Sequence, residues 1–172
     1  MNKYPWYEVV NAGEPLLQGD FINSCPIVKP PSQIELGKVE ADVIEYDVLV
    51  MSQSCDLVQR KLELVLVCPT WPLSEFEKLS KFFKSKKGKE TLRQGNVPGY
   101  HLLNKCEIDR FKTEYLVVDF RSVYSIPFNF LVDLSQERRK IRLLPPYREH
   151  LSQAFARFFM RVGLPIDIPS FK

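Results

Sequence analysis

Residues 115–126 read YLVVDFRSVYSI, and this stretch decides the fold class. The apolar run LVV leads to Asp119, Arg121 and Ser122, and a second largely apolar run continues to residue 132. Short runs rich in β-branched and aromatic residues are typical of strands. We therefore predict one strand before the polar residues and a second strand over 122–132.

Similar runs lie on both sides of this stretch. They are FINSCPIV at 21–28, DVLVMSQ at 47–53, LELVLVCP at 62–69, YHLL at 100–103 and RRKIRLL at 138–144. Pro30 and Pro31 end the first run, because proline cannot donate to a paired strand. SCDLVQRK at 54–61 predicts a turn or short helix, and residues 1–18 predict a segment that packs across the body.

Two segments show a helical period of apolar residues instead. Ser74 followed by Glu77 has the pattern of a capping box, and it predicts a helix from about 75 to 84 within an insertion at 74–94. Pro145 and Pro146 predict the start of a C-terminal helix over 145–163. The predicted apolar face of that helix holds Tyr147, Leu151, Ala154, Phe155, Phe158 and Val162. A chain of this size needs such a face for its own core, so we expect the helix to pack on the sheet.

The composition is that of an ordinary globular domain. The 172 residues are 45% hydrophobic and 26% charged, with a formal net charge of +3. This length supports a core without disulfides or metal, so we predict one domain over 1–172 with a barrel-like body at 18–130. The opening residues hold no apolar run of signal-peptide length, and no segment approaches a membrane span. We therefore expect a cytoplasmic protein without membrane contact.

Cys55 and Asp56 follow a central strand and form the most pointed chemical pattern. A thiol becomes a nucleophile when a base supplies the thiolate, and His101 is the only histidine near the middle of the chain. These three residues are a candidate thiol site; the alternative is that Cys55 only packs and Asp56 only caps a turn. With Cys106 they are also a candidate metal set, but the close pairs of structural zinc sites are missing. We expect no metal and no other cofactor.

Basic residues cluster in three stretches. Seven of the sixteen residues at 78–93 are Lys or Arg, and further cations lie at 138–142 and 157–161. The candidates for contact with RNA phosphates are Lys81, Lys84, Lys87, Arg138, Arg139, Arg157 and Arg161. Trp71, Tyr100 and Tyr124 are candidates for stacking on unpaired bases. The alternative is a solvated face, since Lys-rich helices with interspersed Glu are common protein surface.

The order of short motifs resembles a known family. GDF at 19–21, VLVMS at 48–52, LVLVCPT at 64–70 and YLVVDFRSVYSI at 115–126 are similar to the MazF/PemK group of small toxins. The last motif is the best match, because the family commonly shows an apolar strand followed by Asp, Arg or Lys, Ser, and Ile or Val. The resemblance implies a mainly β (α+β) fold: an SH3-like barrel with an inserted helix and a C-terminal amphipathic helix.

The resemblance also implies an activity. Family members are toxins that cleave single-stranded RNA as dimers, using an Arg before the second strand and a Ser or Thr after the third strand. Thr70 matches the hydroxyl residue, whereas Glu45, Tyr46 and Asp47 stand where the Arg is expected. Arg121 is then the candidate that stabilises charge at the scissile phosphate. Outside this pattern, SQSCDL, PPYREHL and FFMRVGLP resemble bacterial proteins without an assigned function.

Two functions from different classes follow from these residues. The first is a toxin or defence effector that binds and cleaves single-stranded RNA as an endoribonuclease, with an antitoxin-like protein partner and a homodimer as further expectations. The second is a non-catalytic module that binds RNA or protein on the same barrel. Loss of the family Arg favours the second function, and survival of Thr70 favours the first. The thiol enzyme at Cys55 is a third, less favoured alternative.

Overall fold

The computed structural model describes residues 4–31, 41–136 and 139–160, in which groups of strands are separated by helices. The strands in these ranges are β1 (Tyr7–Val10), β2 (Phe21–Lys29), β3 (Asp42–Val50), β4 (Leu64–Pro72), β5 (Tyr100–Leu103), β6 (Leu116–Asp119), β7 (Tyr124–Pro127) and β8 (Lys140–Leu143). The helices are α1 (Ser54–Val58), α2 (Leu73–Phe76), α3 (Lys81–Lys84), α4 (Lys86–Arg93), α5 (Phe128–Gln136) and α6 (Tyr147–Phe159). The structure is therefore mixed α/β with antiparallel sheets, and the predicted combination of strands and helices is confirmed at this level.

β4 is the centre of a six-stranded antiparallel sheet. It pairs with β3 on one side, and on the other side it pairs first with β7 and then, from Thr70 to Pro72, with β6. The order is β2-β3-β4-β6-β5, and β1 and β8 form a separate two-stranded sheet. The turn with Asp119, Arg121 and Ser122 therefore joins two strands that share β4 as their partner.

Alternating side chains give the six-stranded sheet two faces. The face that we call the closed face packs against β1, β8 and α6, and its buried residues include Leu49 and Val118. The face that we call the open face carries Val48 and Val67, which pack with α5. On the same face, Val117 packs with the insertion, which we define as α2 to α4. The two helical additions leave the middle of the open face between them.

The predicted strand over 122–132 is wrong in its second half. β7 ends at Pro127, and Phe128 begins α5, where its backbone N–H donates to the carbonyl of Glu63. Leu131 is fully buried, and Phe128 and Val132 pack in the same cluster. Helical spacing places these three residues on one side of α5, and this burial overrides their strand propensity.

The helix predicted over 75–84 is divided into α2, a short 3₁₀ turn and α3. The predicted capping box is wrong, because Ser74 lies inside α2 and its hydroxyl donates to Glu114. The caps are Ser80 and Ser85, whose side-chain oxygens accept from backbone N–H groups of α3 and α4. Each cap satisfies a donor at the start of a new helix, so the chain turns at both serines.

The pieces of the insertion pack tightly against one another and against β5. At Gly88 an added Cβ would lie 2.0 Å from the carbonyl oxygen of Phe82, so only glycine permits this approach of α4 to α3. The rings of Phe76 and Phe83 lie 4.7 Å and 6.0 Å from the ring of Tyr100, centroid to centroid. The insertion is thus anchored at the β5 edge of the open face.

The C-terminal helix is confirmed as α6, which begins after both prolines. Leu151 is buried, and the other predicted apolar residues that the structure describes pack on the same closed-face core: Tyr147, Ala154, Phe155 and Phe158. Val162 lies outside the described residues. Within the described ranges, none of the helices has the length and apolar character needed to cross a membrane.

Candidate functional site

Three aromatic rings meet in the middle of the open face. Tyr46 of β3 stacks on Tyr124 of β7, with ring centroids 6.0 Å apart and an interplanar angle of 16°. The Trp71 ring of β4 meets Tyr46 edge-on at 5.6 Å. The sheet register brings them together, because the pairing of Val48 with Pro69 sets Tyr46 opposite Trp71. All three rings are only half-buried, so they present accessible aromatic surface.

Cations stand on both sides of these rings. Lys29 Nζ lies 5.5 Å from the centroid of the Tyr46 ring, and a hydrogen bond with the Tyr46 hydroxyl is the main cause of the raised pKa of Lys29. Towards β5, the Arg121 guanidinium lies 4.3 Å from the centroid of the Tyr100 ring. We call the whole set the aromatic strip; it consists of Lys29, Tyr46, Trp71, Tyr100, Arg121 and Tyr124. The strip crosses the open face from β2 to β5.

The turn after β6 holds Arg121 over Tyr100. Asp119 Oδ1 accepts from the backbone N–H of Arg121 at 2.9 Å and from its Nε at 3.3 Å. Ser122 Oγ donates to the other carboxylate oxygen at 3.4 Å. An added Cβ at Gly99 would lie 3.1 Å from Arg121 Cγ, so the aliphatic part of the arginine rests on the glycine backbone. The Asp-x-Arg-Ser pattern that carries the family resemblance therefore positions a cation at the strip.

The predicted RNA-contacting lysines lie beside the strip. The insertion that carries them packs on Tyr100 and Trp71. The lysines are exposed, and none of them forms an ion pair with a residue that the structure describes: Lys81, Lys84 and Lys87. They form a positively charged border of the strip.

Thr70 lies on the closed face, in a groove of about 430 Å³. Its hydroxyl donates to the backbone carbonyl of Asp47 at 3.2 Å, and 6% of the residue is exposed. The charged residues that line the groove are Asp47, Arg110, Lys112, Glu114, Arg139 and Lys140. Arg121 is not among them. Thr70 and Arg121, which the resemblance implies to act together, are therefore on opposite faces of the sheet.

A buried ion-pair cluster adjoins the groove through Lys140. Asp20 is fully buried, and Arg142 donates to both of its carboxylate oxygens, from Nη2 at 3.0 Å and from Nε. Lys140 Nζ lies 3.8 Å from Asp20 Oδ2 and has no hydrogen-bond partner among the described residues. Burial lowers the pKa of Lys140. Burial also raises the pKa of Asp20, although the hydrogen bonds from Arg142 act in the opposite direction. The cluster fastens β8 to the start of β2.

The candidate thiol and metal residues do not come together. Cys55 is exposed on α1, whereas His101 lies in β5 and stacks on Phe120. Cys106 is buried, and burial raises the pKa of its thiol. In the described part of the chain, no three residues of the types His, Cys, Asp and Glu are grouped to hold a metal ion. The set formed with Asp56 is therefore not assembled.

His101 lies instead in a second cavity, of about 700 Å³, that His150 and Arg157 also line. Burial, together with the charge of His150, lowers the pKa of His101 to about 4. A side chain with this pKa is a weak base at neutral pH. Arg157, a predicted RNA contact, thus lies at this cavity between α4 and α6.

The remaining predicted cations divide between described and undescribed residues. Arg139 lines the groove, and Arg138 and Arg161 lie outside the described residues. Sequence reasoning missed Lys29 and Tyr46 as members of the strip. The available signal was the alternation of β3, which places Tyr46 on the same face as Val48 and Val50.

Comparisons with known proteins assign no family to the chain. Neither a protein-family model nor a curated protein sequence matches it. The functional assignment therefore has to come from the geometry of the aromatic strip, the groove and the insertion.

Proposed function

We propose that the protein binds single-stranded RNA on the aromatic strip. The observation that carries this proposal is the cluster of Tyr46, Trp71 and Tyr124, in which the half-buried rings of Trp71 and Tyr124 lie 5.6 Å and 6.0 Å from the ring of Tyr46. Unpaired bases stack on such rings, and every base has a π-face, so the interaction tolerates any sequence. A purely structural aromatic cluster would be covered by a neighbouring element.

The charges around the strip support a nucleic-acid ligand over a neutral one. Lys29 lies over the ring of Tyr46 and Arg121 over the ring of Tyr100, so both ends of the strip carry a cation that can contact a phosphate. The insertion adds Lys81, Lys84 and Lys87, which carry no competing ion pair among the described residues. Phosphate contacts supply affinity and salt dependence, and the rings supply preference for single strands.

We also propose the finer details that the resemblance implies. They are kinship with the MazF/PemK toxins, an SH3-like barrel, an antitoxin-like partner and a homodimer. RNA cleavage stays a prediction. The separation of Thr70 from Arg121 by the sheet favours the non-catalytic binding module, because a cleavage site needs its hydroxyl and its cation at one phosphate. Binding is thus the function that the geometry supports best.

The binding proposal is tested by fluorescence anisotropy with a labelled single-stranded RNA of mixed sequence. Tyr46→Ala and Tyr124→Ala should each weaken binding by about fivefold or more, since loss of one stacking ring removes roughly 1–3 kcal/mol per base. Phe159→Ala is the control, because Phe159 is an exposed aromatic residue of α6, which packs on the closed face. Circular dichroism checks that each variant is folded. Folded Tyr46 and Tyr124 variants that bind like the wild type would remove the proposal.

Cleavage is measured on the same RNA by denaturing gel electrophoresis. Thr70→Val keeps the shape of the side chain but removes the hydroxyl, and Arg121→Gln removes the cation. Products that appear with the wild type and disappear with either variant would establish the endoribonuclease. Binding without any product would identify the module as non-catalytic.

A further inference from the structure

The groove around Thr70 has the character of a small-molecule site. Its volume of about 430 Å³ lies within the usual range for ligand pockets, which are mostly apolar with a few placed polar groups. Phe21, Leu116 and Ile141 supply an apolar floor, and the partly exposed ring of Phe111 lies at one side. This lining offers a flat organic group a hydrophobic and aromatic surface.

The cations of the groove outnumber the free carboxylates. Both acidic residues of the lining accept hydrogen bonds from neutral donors: Asp47 from the backbone N–H of Ser24, and Glu114 from Ser74. Arg110 and Arg139 form no ion pair with any residue in the described ranges. These two guanidinium groups therefore remain available to an anion.

The buried cluster next to the groove leaves one of its cations without a hydrogen bond. Arg142 already occupies both oxygens of Asp20 and donates to the carbonyl of Pro15, and the carboxylates of Glu8 and Glu14 lie near it. Lys140 is left with one contact at 3.8 Å to an oxygen that Arg142 also uses, although its side chain is only 4% exposed. A buried ammonium group without a hydrogen bond favours an anion nearby.

We propose that this groove binds a nucleoside monophosphate. The phosphate lies against Arg110 and Arg139, whose planar groups suit phosphate oxygens, and the base lies on the apolar floor beside Phe111. Free phosphate would leave the apolar floor in contact with water, and a phosphorylated sugar has no flat face for the ring. The hydroxyl oxygen of Thr70 faces the same space and can accept a hydrogen bond from the ribose.

This site is separate from the aromatic strip, because the two lie on opposite faces of the sheet. Nucleotide binding therefore does not depend on RNA binding, and each is lost through different substitutions. Tyr46→Ala should leave nucleotide affinity unchanged, whereas changes at Arg110 and Arg139 should reduce it.

The test is isothermal titration calorimetry of the full chain with AMP, CMP, GMP and UMP, and with adenosine and inorganic phosphate as comparisons. At least one monophosphate should bind with a Kd of about 1 mM or tighter, a range that calorimetry measures. Adenosine and inorganic phosphate should bind about tenfold more weakly or worse, because each lacks half of the contacts. Equal binding of inorganic phosphate, or absence of monophosphate binding, would overturn the proposal.

The location is tested with Arg110→Gln, Arg139→Gln and the double variant, which are surface changes that leave the apolar floor intact. Each single change should weaken the monophosphate about fivefold or more, as expected for loss of a charge-assisted hydrogen bond, and the double change should abolish binding. Lys61→Gln, an exposed lysine outside the groove, is the matched control. Unchanged affinity in the double variant, or loss only with Tyr46→Ala, would refute the groove as the site.

Discussion

On the closed face of the central sheet, the carboxylate of Asp20 is buried against Arg142; on the open face, aromatic rings are partly uncovered and the cations beside them lie at the surface. Asp20 is paired with Arg142 out of contact with water. Lys29 instead packs over the ring of Tyr46, and Arg121 packs over the ring of Tyr100, both at the surface. Burial of charge has a desolvation cost that only close pairing offsets. An aromatic ring that stays exposed to water contributes less hydrophobic stabilisation than a buried ring. The buried pair of the closed face therefore stabilises the fold, and the open face has uncovered aromatic surface that can bind a single-stranded ligand.

The largest effect should come from the buried pair. Arg142→Met leaves the Asp20 carboxylate buried without its partner, so we expect the free energy of unfolding to fall by about 3–5 kcal/mol in urea denaturation. Arg148→Met is the control, because Arg148 pairs with its half-exposed neighbour Glu149 and a surface pair contributes at most about 1 kcal/mol. Equal losses in the two variants would mean that the closed face does not depend on this pair.

The free energy of unfolding should also depend on pH through His101, which lies on the closed face. Its pKa in the folded protein is about 4, against 6.5 for the free side chain, so the unfolded chain takes up the proton first as the pH falls. The free energy of unfolding should therefore decrease as the pH falls from 6.5 to about 4, by at most about 1.4 kcal/mol per pH unit from this group. His101→Gln should flatten the pH dependence of the unfolding free energy, and His150→Gln should reduce it only in part, because burial contributes more than the charge of His150 to the lowered pKa of His101. A His101 variant with an unchanged slope would contradict the buried neutral histidine.

Gly88→Ala tests how the insertion supports the open face. The added methyl group meets the Phe82 carbonyl, and such overpacking costs about 1–3 kcal/mol in the free energy of unfolding. Lys87→Ala, one residue earlier in α4 and exposed, should change it by less than about 0.5 kcal/mol. Urea denaturation measures both changes. If Gly88→Ala lowers the free energy of unfolding no more than Lys87→Ala does, the stability of the protein does not depend on the close approach of α3 and α4.

The smallest effect concerns the charged border of the strip. The combined change of Lys81, Lys84 and Lys87 to Ala should leave stability nearly unchanged but lower the slope of log affinity against log salt for single-stranded RNA by about 2. Anisotropy titrations over a range of salt concentrations measure the slope. A Lys61/Lys105 double alanine variant, with both changes outside the insertion, should keep the wild-type slope. An unaltered slope in the triple variant would place the RNA elsewhere.

Local patterns were sufficient for much of the fold. The apolar runs of β2, β3, β4, β5 and β6 identified strands, because a strand buried on a sheet needs apolar residues in short runs. The apolar face of α6 was also correct, since a period of 3.6 residues determines one side of a helix. Local patterns failed where packing decides: Phe128 and Val132 have strand-forming side chains, yet α5 packs them on the open face.

The candidate sites were harder to predict from the sequence than the strands and helices. Trp71 and Tyr124 were recognised as stacking residues, but their meeting point on Tyr46 depends on the register of three strands. Thr70 and Arg121 looked like partners in the sequence, and strand alternation places them on opposite faces. Cys55 and His101 looked like a reactive pair, and the fold keeps them apart.

The sequence by itself determined most of the strand segments, the C-terminal helix and the types of side chain available for contact with an anionic ligand, because these depend on residues close together in the chain. Only the tertiary structure decided which of those side chains meet. Asp20 and Arg142 are 122 residues apart and form a buried ion pair. Their contact, like that of Tyr46 with Trp71 and Tyr124, depends on long-range strand pairing that no local pattern encodes.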